Sequence, residues 1–181
     1  MKKIALLLAL IFSFASTLSA AKFIKGQYYG GVGLGIEDYS YYSHYDPGMT
    51  LVLNGGKPII KLGPGTIGAE LELTYTILPM DYNYRYYDAD LSVLTFGTYA
   101  TYTFTHSKKL YSRAKLGFAL QHTTFDYDDY DYDYYDGYNK ASVAIGIGGG
   151  YKFNKTMRAY SDLIIMSGGL KQLNFGVQFS F

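Results

Sequence analysis

The sequence predicts an all-β chain, an eight-stranded antiparallel up-and-down β-barrel whose strands each turn one face to lipid. Three observations lead there. The last nine residues set Leu173, Phe175, Val177, Phe179 and Phe181 at odd positions and Asn174, Gly176, Gln178 and Ser180 at even ones, without a charge among them. Side chains alternate across a strand, so this segment has one apolar and one polar face. Composition is the second observation: the chain holds 22 Tyr and 21 Gly and is 18% aromatic, with no long helical period beyond its first twenty residues, which suits a barrel. Length is the third. At about 20 residues per strand and connection, about 160 residues make eight strands, close to the minimum for a transmembrane barrel.

The chain opens on Met1-Lys2-Lys3, an apolar run over residues 4–14 and small residues over 16–21. This is the pattern of a secretory signal over residues 1–20, cleaved after Ala20 or Ala21, which leaves 21–181 as one barrel domain. The apolar run is shorter than the roughly 20 residues of a spanning helix. There is no Cys, so stability has to come from the strand ladder and packing without disulfides. The formal net charge is +1, and losing Lys2 and Lys3 with the leader brings it to −1. That balance offers nothing to nucleic acid or to a polybasic membrane anchor.

Eight segments follow in order. The first, 25–36, has Tyr28, Val32, Leu34 and Ile36 on one face and Gln27, Tyr29 and three Gly on the other. The second, 50–62, is irregular because of Pro58, which a closed sheet accepts only near a rim or a bulge. After Gly63-Pro64-Gly65 the third segment alternates Ile67, Ala69, Leu71, Leu73, Tyr75 and Ile77 with Gly68, Glu70, Glu72, Thr74 and Thr76. The fourth, 91–104, sets Leu94, Phe96, Ala100, Tyr102 and Phe104 against Thr95, Gly97, Tyr99, Thr101 and Thr103. The fifth sets Leu110, Ala114, Leu116, Phe118 and Leu120 against Tyr111, Arg113, Lys115, Gly117 and Gln121. The sixth, 141–153, sets Val143, Ile145 and Ile147 against Ser142, Ala144 and Gly146. Segments 157–166 and 173–181 complete the set.

The connections fall into two classes. Those at 63–65, 105–109 and 154–156 are short, whereas 37–48, 79–90 and 123–140 are long and crowded with Tyr and Asp. Short turns on the periplasmic side and longer loops outside are the habit of outer-membrane barrels. Both termini then lie in the periplasm. A soluble eight-stranded barrel would place its charges outside. Here Glu70, Glu72, Arg113 and Lys115 share their faces with Gly, Thr and Tyr, and the opposite faces are uncharged.

With its leader, the Gly-rich stretch Tyr28-Tyr29-Gly30-Gly31-Val32-Gly33-Leu34-Gly35, the hairpin entry Gly149-Gly150-Tyr151-Lys152-Phe153-Asn154 and the terminal Phe181, the chain resembles the small outer-membrane β-barrel family. That family includes the transmembrane domain of outer-membrane protein A and its single-domain relatives. The resemblance implies a bacterial outer-membrane location and contact with outer-membrane lipid. It also implies recognition of Phe175, Val177, Phe179 and Phe181 by the barrel-assembly machinery. It implies little about activity, because such folds host mixed functions.

Three groups of residues bear on chemistry. Glu70, Glu72, Arg113 and Lys115, joined by Arg158 and Asp162 of matching parity, are expected to form an ion-pair network that plugs the lumen, since an eight-stranded barrel has room only for side chains. The segment Asp126, Tyr127, Asp128, Asp129, Tyr130, Asp131, Asp133 and Asp136 is expected to be a solvated surface loop. Its spacing fits no EF-hand, and its Tyr content suits contact with an extracellular partner. His44, His106 and His122 stand in no recognisable motif, so no enzyme activity is assigned, a lipid A-modifying role included. No cofactor or metal motif is present. The expected function is structural or surface-interacting, with a narrow pore for ions or small solutes as the alternative.

Overall fold

The computed structural model describes residues 22–24, 27–39, 46–84, 87–127 and 135–181; the expected leader lies outside them. Its strands are β1 (Lys22–Phe23), β2 (Tyr29–Tyr39), β3 (Gly48–Leu62), β4 (Gly65–Leu78), β5 (Met80–Tyr84), β6 (Tyr87–Thr105), β7 (Leu110–Tyr127), β8 (Tyr135–Lys152), β9 (Met157–Met166) and β10 (Leu170–Ser180). Eight of them form one antiparallel ring in the order β3-β2-β10-β9-β8-β7-β6-β4, closed by pairing of β3 with β4. Both remaining strands are appendages: β1 adds to β3, and β5 continues past Pro79 to pair with β6. Closure leaves the ring without an unpaired edge. Where the chain ends, the Phe181 N–H donates to the Tyr28 carbonyl and the Tyr28 N–H to that of Phe181, both at 3.0 Å.

The alternation of side chains decides what faces where. Leu71, Leu116, Phe118, Ile145 and Phe175 are exposed on the outer wall, whereas Glu70, Glu72, Arg113, Lys115, Asp162 and Gln172 are buried inside. On β7 the outer apolar side chains run from Leu110 to Leu120. Ten residues of strand at a tilt of about 40° project to about 26 Å, close to the height of the apolar band on a transmembrane barrel.

One turn and one bulge carry visible backbone demands. Gly63 has φ of 56°, a left-handed conformation that suits glycine in the tight β3–β4 turn. The β3–β4 register shifts between Pro58 and Ile60, so the ladder bulges where Pro cannot donate.

The strands are longer at the hairpin end than the sequence suggests. Segments expected as loops at 37–48, 79–90 and 123–140 contain the end of β2, all of β5, the start of β6 and the facing ends of β7 and β8. Pairing of β6 with β7 continues to Ala89 and Tyr127, and that of β7 with β8 to Asp126 and Tyr135. Beyond the apolar belt the outward face meets water while Met80, Ala89, Leu91 and Thr123 stay buried inside, so the apolar-outward alternation that marks a strand in sequence fades. Tyr and Thr, which favour strands, keep the ladder going.

Candidate functional site

The chemistry is concentrated inside the ring. β4 delivers Glu70 and Glu72, β7 delivers Arg113 and Lys115, and β9 delivers Asp162. Lys115 Nζ lies 2.5 Å from Glu70 Oε1, 3.0 Å from Glu72 Oε2 and 2.8 Å from Asp162 Oδ2. Arg113 Nη1 lies 3.1 Å from Glu70 Oε2, its Nε donates to Asp162 Oδ1 at 2.6 Å, and its Nη2 donates to the other oxygen of the same carboxylate. These five side chains are at most 3% exposed. The fork of Arg matched to two carboxylate oxygens is the strong geometry for a buried pair.

Three acids face two bases, so one formal negative charge is left over. Tyr29 donates its hydroxyl to Glu70 Oε2 at 2.6 Å. The Tyr99 ring lies 5.3 Å from Lys115 Nζ and the Tyr160 ring 4.8 Å from Arg113 Cζ, contacts that favour a cation over the ring face. Glu70, Glu72 and Asp162 are close enough together to ligate one metal ion. Their shared neighbour in this structure is the Lys115 ammonium, which already contacts all three.

Glycine makes room for these tyrosines. A Cβ at Gly97 would lie 2.5 Å from the Tyr99 ring, and one at Gly176 would lie 2.7 Å from that of Tyr160. Inward aromatics therefore rest on bare backbone, which explains part of the Gly and Tyr content of the chain.

Above the ion cluster, toward the hairpin end, apolar side chains join the filling beside buried Glu37, Thr76, Gln121 and Thr123. Met80, Ile164, Met166 and Leu170 are fully buried together with Leu91, Val93 and Tyr39. The two-face rule does not anticipate this layer, although the run Leu163-Ile164-Ile165-Met166, apolar at both parities, is its signal. Gln172 Nε2 bridges the layers by donating to Thr74 Oγ1 at 3.0 Å and to Glu37 Oε2 at 3.3 Å. Tyr39 lies beyond the belt, where burial and the facing Tyr138 hydroxyl push its phenol above the usual range.

Below the cluster, Gln178 Nε2 donates to Asn54 Oδ1, and Asn54 Nδ2 donates to the Tyr160 hydroxyl, each at 2.8 Å. Arg158 departs from the expected network. It sits at the short-turn end, where its Nε donates to Gln178 Oε1 at 2.7 Å and its guanidinium lies 4.4 Å from the Tyr29 ring. Among the described residues it makes no ion pair. Parity gave its face correctly, but height along the barrel separates it from Asp162.

Other anticipated residues lie on the surface. Phe175, Phe179 and Phe181 are exposed on the outer wall and Val177 is half-buried. Asp126 and Tyr127 belong to β7, and Asp136 of β8 stands opposite Phe125; Asp128, Asp129, Tyr130, Asp131 and Asp133 lie outside the described residues, as does His44. His122 Nδ1 meets Asn139 Oδ1 and His106 Nε2 meets Ser112 Oγ, both at 2.9 Å. Neither contact assembles the Ser, His and carboxylate set of a hydrolase.

No protein-family model and no curated protein sequence matches the chain. Its structure is similar to that of Ail, the attachment invasion locus protein of Yersinia pestis, in complex with the heparin analogue sucrose octasulfate. The TM-score is 0.59 at 12% identity, over 87% of this chain and 100% of that one. The outer membrane protein OprG from Pseudomonas aeruginosa has TM-score 0.57 at 14% identity, covering 86% and 96% of the two chains. Neisserial surface protein A has TM-score 0.52 at 12% identity over the same shares. Ring, belt and likenesses agree that the chain has the fold of the small eight-stranded outer-membrane β-barrels.

Proposed function

We propose that the protein is an integral barrel of the bacterial outer membrane, closed to ions, that serves a structural or surface-interaction role through its long hairpins. The observation that carries this reading is the filled cross-section: the ion cluster, with its side chains at most 3% exposed, lies beneath a layer of buried Met, Ile and Leu. A conducting pore needs a continuous column of water, and an eight-stranded ring leaves side chains little reason to part. The short turns and both termini are assigned to the periplasm and the hairpins to the outside, on the asymmetry of their lengths. Phe175, Val177, Phe179 and Phe181 are assigned to recognition by the assembly machinery.

Ail is described in complex with a polyanion. The hairpins of this chain carry Asp38, Asp46, Asp81, Asp90, Asp126 and Asp136, which repel such a ligand. A cationic or hydrogen-bonding partner, contacted through Tyr, fits them better. Liposomes loaded with a pH-sensitive dye and carrying the folded barrel should hold a salt and proton gradient as long as empty ones. Collapse within seconds would overturn the closed state.

A further inference from the structure

At the short-turn end the lumen opens into a cavity of about 180 Å³, lined by Tyr29, Thr101, Thr103, Lys152, Arg158 and Ser180 among others. Lys152 and Arg158 are direct cross-strand partners on β8 and β9. Like charges directly opposite one another destabilise a sheet. Yet their head groups converge, for Lys152 Nζ lies 5.8 Å and Arg158 Cζ 5.6 Å from the same Tyr111 ring. Among the described residues neither cation has a carboxylate within ion-pair distance, and only Arg158 Nε, directed at Gln178, has a hydrogen-bond acceptor.

Among the described residues no carboxylate side chain stands at this end. No Asp or Glu occurs within 22–36, 55–69, 91–125, 137–161 or 163–181, while Lys57, Lys61, Lys109 and Lys155 crowd the same end. Two convergent cations and the hydroxyls of Thr101, Thr103 and Ser180, in a concavity whose lining has no Asp or Glu, match one ligand chemistry, a tetrahedral oxyanion. The terminal amino groups of Arg158 supply the planar fork such an anion prefers, Lys152 adds a point charge, and Thr and Ser hydroxyls donate to the remaining oxygens.

We propose that the short-turn mouth is a phosphate-binding site formed by Lys152 and Arg158, taking either free phosphate or the phosphate of a lipid headgroup that reaches over the rim. The site is independent of whether the barrel conducts.

The test uses the full barrel folded in an uncharged detergent in phosphate-free buffer, titrated with inorganic phosphate and followed by calorimetry and by the nitrogen-15 signal of Arg158 Nε. Saturable binding is expected, weakened at least tenfold by Lys152→Gln and by Arg158→Gln and unchanged by Lys155→Gln. Lys152→Gln carries the test alone if Arg158→Gln fails to fold. Repeating the titration in phosphatidylglycerol nanodiscs separates the two sources. Loss of the response there, with a phosphorus contact from lipid to Arg158, assigns the site to a headgroup, whereas an unchanged response assigns it to free phosphate. No saturable response and no lipid contact in either medium, or binding that both Gln variants retain, would overturn the proposal.

Discussion

Lys115 stands where a bound cation would stand, among three carboxylates, and the partners of each acid set what its loss would do. Among the described residues Glu72 has Lys115 as its only ion-pair partner, whereas Glu70 and Asp162 also meet Arg113. Removing one member of a buried pair leaves an uncompensated charge, at a cost of about 3–5 kcal/mol. Lys115→Met should therefore lower the urea stability of the folded barrel in lipid by about that much. Adding Glu72→Gln should restore part of the loss, because the stranded charge goes with it. Strict additivity in this double-mutant cycle would show that the two side chains do not interact. Parity on the third and fifth segments was enough to bring these residues to one face. It said nothing of Tyr29, Asn54 and Tyr160, which complete the network, because a neutral polar residue at inward parity looks the same in sequence whether it bonds to the cluster or only fills space.

Each membrane-facing strand carries a depth scale. Leu71 and Leu116 lie near the middle of the belt and Leu110 at its short-turn rim. Arg at the middle of the band costs about 2–4 kcal/mol and near an interface about 0–1. Leu71→Arg and Leu116→Arg should thus destabilise the barrel strongly and Leu110→Arg mildly in a lipid folding titration. Equal losses at all three would mean the belt is misplaced. Just past β10, deleting Phe181 should reduce the heat-modifiable, folded protein recovered in the outer membrane, and wild-type recovery would argue against an assembly role for that residue. Strand faces were legible because lipid and lumen impose opposite demands on neighbours, as on Glu70, Leu71 and Glu72. Strand ends at the hairpins were not. Asp and Tyr around Asp126 and Asp136 have the composition of a loop, and only cross-strand pairing reveals that the ladder goes on.

The molecule as a whole is polarised along its axis, with acids gathered toward the hairpins and bases toward the short turns. Much of that division is legible in the order of the residues, since the two classes of connection set Lys57, Lys61, Lys109 and Lys155 near short turns and Asp38, Asp46, Asp81 and Asp126 near the hairpins. How the lumen is filled was only half visible. The ion cluster follows from charged residues at inward parity, but the layer of Met80, Ile164, Met166 and Leu170 above it required the three-dimensional meeting of β5, β9 and β10. Met80 in particular sits in a segment whose sequence suggests a loop. Two kinds of filling stacked in one narrow ring underlie the proposed closure of the lumen, which single-channel recording in planar bilayers would report. Folded wild-type barrel in concentrated potassium chloride should give a flat baseline at moderate voltages, and Lys115→Met, by loosening the cluster, should at most add brief openings. Steady unitary steps from the wild-type protein, scaling with salt concentration, would show an open lumen instead.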